Sequence, residues 1–290
     1  MVEFKRHLVV FGGFYETNNN FNYFNDIHVF DMVNRQWKTV KPLGDIPPPR
    51  SNAQFVALPS KNSILLYGGY SKSKVSKQVE GGITHSDMFL LQIDGVADYD
   101  PNTSKTKLSA LPWRWTQLRQ GGDKPTPPRC GSTAVLLPSP ANSSACRVLF
   151  YGGVADQEQE DDVQGSFSND SYIFDVEKKK WVKIEMKMAL SEAQEPLPPL
   201  RPRMNVQLAV KGHHLFLHGG TCEVKDRQVT LSDFYIMDLL RMDDGWTTLI
   251  ADTAEKQEWV ESSDDDDESL MDVDDAGDDS SSDDDDSEDD

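Results

Sequence analysis

The sequence predicts an all-β chain: four copies of a short antiparallel sheet, followed by an acidic, disordered tail. Three observations carry this prediction. Four apolar runs end in a glycine pair. Each is followed by Asn or Ser, then Asp, then a second β-prone run. Each unit then reaches a tryptophan that opens a short strand. Repetition of this kind marks an array of identical supersecondary units.

Unit one reads Leu8-Val9-Val10-Phe11-Gly12-Gly13, then Asn25-Asp26-Ile27-His28-Val29-Phe30, then Trp37. Unit two opens with Pro48-Pro49-Arg50 and a strand-like run over 53–58. It continues through Ile64-Leu65-Leu66-Tyr67-Gly68-Gly69 and Ser86-Asp87-Met88-Phe89-Leu90-Leu91 to Trp115. Unit three repeats the order with Pro127-Pro128-Arg129, a run over 133–137, Val148-Leu149-Phe150-Tyr151-Gly152-Gly153, Asn169-Asp170-Ser171-Tyr172-Ile173-Phe174 and Trp181. Unit four has Arg201-Pro202-Arg203, a run over 205–210, Leu215-Phe216-Leu217-His218-Gly219-Gly220, Ser232-Asp233-Phe234-Tyr235-Ile236-Met237 and Trp246. The runs are short, rich in β-branched and aromatic residues, and bounded by Gly, Pro, Asn and Asp, as strands are. A four-stranded sheet cannot bury both faces alone, so successive units must pack face to face, with the tryptophans between them. The glycine pair admits positive φ where the second strand ends.

The glycine pair, the later aromatic residue and the tryptophan, seen four times in register over residues 1–250, resemble the kelch repeat family. The resemblance implies a β-propeller with one repeat per blade, its innermost strand following the Pro/Arg step. The blades then fall near 1–40, 50–118, 129–184 and 203–250. A short polar segment, read as helical, follows at 251–260, with the disordered tail at 261–290. The spacing departs from the family in two ways. The glycine pairs recur every 69 residues on average, against about 50 for the nominal repeat, and the excess reads as surface insertions such as 94–112. The first blade also looks truncated. Arg203 precedes Gly219 by 16 residues, and the same step back from Gly12 falls ahead of Met1. The expectation is an open arc from a shortened product of a longer propeller protein; the alternative is a closed four-bladed ring.

In an antiparallel meander the connections alternate ends. The segments after the glycine pairs and those between blades therefore share one face, the candidate recognition surface. Blade one offers 14–24, with Tyr15 and Tyr23 among asparagines. Blade two offers 70–85, with Lys72, Lys74 and Lys77 against Glu80. Blade three offers 154–168, with Asp161 and Asp162 among five carboxylates. Aromatic and charged side chains on exposed loops are what peptide recognition uses. The acidic loop lacks the spaced ligands and turn glycine of a calcium loop.

Other chemistries find little support. No phosphate-binding glycine loop, nucleophile elbow or Cys-x-x-Cys pair occurs. His214 and His218 would lie roughly 13 Å apart along a strand, too far to share an ion. Copper radical oxidases on this fold need tyrosine, histidine and cysteine ligands converging at the axis, and no such set is evident. Cys130, beside Arg129, reads as a small inner-strand residue. No metal, cofactor or catalytic residue is expected.

The formal charge is −20, but 18 of the 49 acidic residues lie in 261–290, which has no Lys or Arg. Residues 1–260 carry 31 acidic and 29 basic residues, so the body offers no field for nucleic acid. The tail has too few apolar groups to fold. It would attract basic proteins and repel membranes and nucleic acid. Ser262, Ser263, Ser282 and Ser287 precede acidic runs, the context acidophilic kinases read. Three scattered cysteines and no export signal or apolar span point to a cytoplasmic protein, with the nucleus as the alternative. The functional expectation is a non-enzymatic module that captures a protein or peptide. The alternatives are a substrate adaptor for a ubiquitin ligase and, third, an oxidase or epimerase.

Overall fold

The structure, a computed structural model, describes residues 1–17, 20–74, 80–139, 145–158, 163–191, 193, 195, 197–224 and 227–254. Met1–Lys256 forms one compact unit; the tail and its serines lie outside the described residues. Four sheets follow one another along the chain in a β-propeller arrangement. Blade one contains Val2–Phe4, His7–Thr17, Asn20–Asp31 and Gln36–Val40, each antiparallel to the next. Its innermost strand is only three residues long. Blade two contains Gln54–Leu58, Ser63–Tyr67, Met88–Ile93 and Trp113–Gln117. Blade three contains Thr133–Leu136, Arg147–Tyr151, Ser171–Asp175 and Lys180–Ile184. Blade four contains Gln207–Lys211, His214–Val224, Arg227–Asp238 and Thr247–Ile250.

The middle strands are apolar on both faces because successive side chains point to opposite sides. In Ser63–Tyr67, Ile64 and Leu66 join Val9, Ile27 and Val29 of blade one, with Phe89, Leu91 and Trp115. Leu65 and Tyr67 face the other way, joining Val148, Phe150, Phe174 and Trp181 of blade three. Leu149 and Tyr151 then meet Leu215, Leu217, Tyr235 and Trp246 of blade four. Each junction therefore has its own apolar cluster. Among the described residues, no cluster contains side chains of both blade one and blade four.

The tryptophans fill these junctions in three blades of four. Trp115, Trp181 and Trp246 are each 1% exposed. Trp181 packs on Tyr67 and Phe150, with ring centroids 5.0 and 4.8 Å away. Burying a ring of that size removes about 150–250 Å² from water, an upper bound of roughly 4–6 kcal/mol. Trp37 differs. It is 54% exposed and packs on Phe30 of its own sheet, at 5.0 Å. The face it covers is the one the other tryptophans press onto a preceding blade.

A second device was not anticipated. The segment between blades runs along the outside of the blade it leads into. Leu43–Gly44 pairs in parallel with Arg114 and Trp115, Gly121–Gly122 pairs with Lys180 and Trp181, and Met188 bridges to Trp246. Backbone approach here is so close that a Cβ on Gly122, at φ +78°, would sit 2.2 Å from the Trp181 carbonyl oxygen.

The 94–112 insertion is not a wholly solvated loop. Val96 and Leu108 are buried in the cluster between blades one and two, and Trp113 Nε1 donates to the Leu108 carbonyl at 3.1 Å. Arg6 of blade one donates to Asn102 at 2.8 Å. The segment thus fastens blade one to blade two. Of the 251–260 segment read as helical, only 251–254 is described; there Ala254 packs with Cys222, Val229 and Leu231.

Candidate functional site

The segments after the glycine pairs are two-stranded arms, where the sequence reads as loops. Tyr70–Lys74 pairs with Glu80–Thr84, and Val154–Glu158 with Val163–Phe167. In blades one and four the second strand runs on through the glycine pair into the arm, with a register shift there. The first glycine of each pair has φ of +59 to +69°, a conformation other residues adopt only at a cost. A bulge of this kind re-aims the strand without ending it. These segments are not solvated on both faces: Ser71, Ala155, Cys222, Val229 and Leu231 are buried.

Each Pro/Arg step holds its arm in place. In blade two, Arg50 donates from Nη2 to Asp87 Oδ2 at 3.0 Å, from Nη1 to the Gly68 carbonyl at 3.0 Å, and from Nε to the Pro48 carbonyl at 3.0 Å. In blade four, Arg203 donates to Asp233 at 2.7 Å and to the Gly219 carbonyl at 3.1 Å, with both side chains fully buried. In blade three, Arg129 reaches Asp170 at 2.6 Å and Ser168 at 2.7 Å. The arginine thus joins the start of the innermost strand to the base of the arm and to the start of the third strand. Burial pushes the Asp170 carboxyl up, but bonds from Lys183 and Arg129 outweigh it and hold it below its usual range. Burial would lower the Arg203 guanidinium, yet Asp233 keeps it raised. Tyr235, which donates to Asp233 at 3.0 Å, is pushed up to about 12 by burial and then by that carboxylate. In blade one the aspartate of the repeat, Asp26, is bonded instead to the exposed His28 at 2.8 Å. The sequence shows both the arginine and the aspartate in units two to four, but not that they meet; their fixed order around the glycine pair is the signal that could have shown it.

Immediately after each arginine comes an identical joint. Ser51, Cys130 and Met204 each exchange two backbone hydrogen bonds with the first residue of the arm or its equivalent, Tyr70, Val154 and Thr221, all at 2.9 Å. The next residue, Asn52, Gly131 or Asn205, has φ of +52 to +66°. Three joints and the blade-one arm surround a depression of about 860 Å³, lined by Phe14, Asn52, Tyr70, Thr133, Asn205 and Gln207 among others. Among the described residues no charged side chain lines it. Thr133 is already used, donating to the Val206 carbonyl at 2.8 Å, and Gln54 accepts from the Ala134 amide at 2.9 Å. The exposed amides of Asn52, Asn205 and Gln207 make no such bond among the described residues. The arrangement can therefore donate and accept hydrogen bonds around a neutral, partly apolar hollow.

The structure brings together some of the sequence-predicted residues and separates others. In the blade-one arm, Phe14 pairs with Tyr23 and Glu16 with Phe21, so these share a face. Phe14 stacks on Tyr23 at 5.6 Å, and Lys72 from the next arm lies 5.9 Å over Phe21. Burial raises the Tyr23 hydroxyl, partly offset by a bond with the Lys72 backbone. Tyr23 and Lys72 therefore belong to one aromatic and cationic cluster beside the depression. Tyr15 pairs with Asn22 on the opposite face and is 61% exposed. Lys74 lies at the arm tip opposite Glu80. Lys77, Asp161 and Asp162 lie outside the described residues. Cys130 lies on the rim of the depression, in the joint that precedes the innermost strand. His214 and His218 pack on aromatic rings of blade four, Phe216 and Phe234. Among the described residues no group of three potential metal ligands occurs, and no helix is long and apolar enough to cross a membrane.

Comparison with known families agrees with this architecture. The KLHDC2/KLHL20/DRC7 Kelch-repeats domain matches residues 1–259. With four blades built on glycine pairs, three of them carrying junction tryptophans and arginine–aspartate ties, and with that match spanning nearly the whole chain, the protein belongs to the kelch-repeat family.

Proposed function

We propose that the chain is a non-enzymatic interaction module that captures an extended protein segment across the face carrying the arms. The observation that carries this reading is the uncharged depression of about 860 Å³, ringed by the unpaired amides of Asn52, Asn205 and Gln207. Such amides suit the backbone of a bound peptide, since each offers both donors and an acceptor. The cluster of Phe14, Phe21, Tyr23 and Lys72 beside it would supply the apolar anchor. Kelch propellers commonly serve as protein-interaction modules, which supports the class though not the partner. The 261–290 tail adds a second contact for basic partners, tuned by phosphate on Ser262, Ser263, Ser282 or Ser287. Within the family, Phe11-Gly12-Gly13-Phe14, Tyr67-Gly68-Gly69-Tyr70-Ser71-Lys72 and Gln257-Glu258-Trp259 ahead of an acidic run resemble kelch domain-containing protein 4.

Proximity labelling in cells tests the reading with three forms: the full chain, the chain with Asn52, Asn205 and Gln207 changed to alanine, and the chain lacking 261–290. Partners lost with the amides and kept without the tail support capture on the arm face. Partners kept by the alanine variant and lost with the tail refute it. Cullin subunits among the amide-dependent partners would identify the chain as a ligase adaptor.

A further inference from the structure

A second cavity, of about 400 Å³, opens at the other end of the blades, between blades three and four. Its walls are Leu137, Ile173, Leu239 and Met242, with Ser139, His213 and the exposed Leu240 at its edge. Among the described residues one arginine lines it, Arg147, the first residue of the strand Arg147–Tyr151. By the two-residue period, Arg147 points to the same side as Leu149 and Tyr151, toward blade four. Its Nε is buried and has no hydrogen-bond partner among the described residues.

In blade two the residue at this place, Ser63, likewise has a buried oxygen without a partner among the described residues, but it is a neutral hydroxyl. His7 holds the corresponding place in blade one: it too opens the second strand, and it pairs across to Asp31 as Arg147 pairs across to Asp175. His7 is satisfied, with Nδ1 2.8 Å from the Lys5 carbonyl and Nε2 3.9 Å from Asp31. In blade three the partner carboxylate is taken. Asp175 accepts the Lys178 amide at 2.8 Å, and the Lys178 ammonium lies 3.3 Å away. Arg147 is left as a guanidinium facing an apolar hollow. A buried polar group without a partner is unfavourable, and a guanidinium is shaped to bind a carboxylate through two parallel N–H donors. Ligand sites typically have about 300–1,000 Å³ of apolar wall and one or two convergent polar groups.

We propose that this cavity binds a small aliphatic carboxylate. The carboxylate is held by Arg147, and the chain lies against Leu137, Ile173, Leu239 and Met242. The site is separate from the arm face and does not depend on the peptide reading. The test titrates the full 290-residue chain with octanoate and, in parallel, with octan-1-ol, following binding by calorimetry and ligand-observed NMR. Octanoate is expected to bind saturably, and at least about tenfold more tightly than the alcohol, as one charge-assisted bond of ordinary strength requires. Arg147→Met should remove that preference without lowering thermal stability, because it also removes the buried unpaired Nε. Leu240→Glu, at an exposed position, should weaken octanoate by setting a competing carboxylate beside Arg147. Equal binding of acid and alcohol, absence of saturable octanoate binding, or octanoate affinity unchanged in both variants would each overturn the proposal.

Discussion

Replacing Asp233 with alanine removes a fully buried carboxylate and leaves a fully buried guanidinium behind. Arg203 loses its 2.7 Å bond and Tyr235 its 3.0 Å bond, while Arg203 keeps only carbonyl partners at Gly219 and Arg201. Breaking a buried pair from one side costs about 3–5 kcal/mol. For a domain of this size each kcal/mol moves the melting temperature by roughly 2–4 °C, so Asp233→Ala should melt roughly 6–20 °C lower. The same change at Asp26, whose partner His28 is exposed, should cost less than about 0.5 kcal/mol. The assay is thermal unfolding of both variants, with hydrogen exchange over Gln207–Lys211 as the local reading. Faster exchange in that strand is expected in Asp233→Ala, because Arg203 holds the segment leading into it. The double variant Arg203→Met, Asp233→Leu should recover most of the loss. If Asp233→Ala and Asp26→Ala are equally mild, or if the double variant is worse than the single one, the arginine–aspartate tie is not what anchors the innermost strand.

Three further outcomes follow from the same geometry. Trp181→Ala should cost about 3–5 kcal/mol, and Trp37→Ala less than about 1, because one ring is buried and the other half exposed; denaturant melts separate them. Gly122→Ala should cost more than about 2 kcal/mol, since its Cβ meets the Trp181 carbonyl, whereas Gly212→Ala has open space and should bear only the positive-φ cost of about 1–2 kcal/mol; both are read by melting temperature. Stability should fall on acidification in two stages. Burial, and then Arg50, hold His85 below its ordinary 6.5, so the unfolded chain takes up that proton first and stability declines as pH drops through 6.5. Asp170, held below 3.8, adds a second loss further into acid, and His85→Gln should erase only the first stage in a pH series of melts.

The sequence makes the blades legible because their signals are local and recur: a glycine pair, a tryptophan, a Pro/Arg step. It also places the arms and the inter-blade segments at one end, since that depends only on strand order. The arginine–aspartate ties are hidden because their partners are 30–41 residues apart and nothing local couples them. The arms read as loops because Tyr70–Lys74 and Val154–Glu158 lack an apolar face. Tyr15 and Tyr23 look equivalent in sequence, yet the bulge at Gly12–Gly13 sets the pairing parity that puts them on opposite faces. Val96 and Leu108 look like scattered apolar residues in a polar insertion until the neighbouring blade supplies the surface they cover.

The parallel pairing of Leu43–Gly44 with Trp113–Gln117 has a consequence in time. The first half of this contact leaves the ribosome 69 residues before the second, since Trp113 follows Gly44 by that number. At about 5–20 residues per second the wait is roughly 3–14 s. During that interval the outgoing segment of blade one has no partner, and it is captured only when the outer strand of blade two is synthesised. Gly121–Gly122 repeats the delay for blade three. Closure of each blade therefore secures the exit of the one before it, and the array is expected to mature in the order of its synthesis, one blade behind the nascent end.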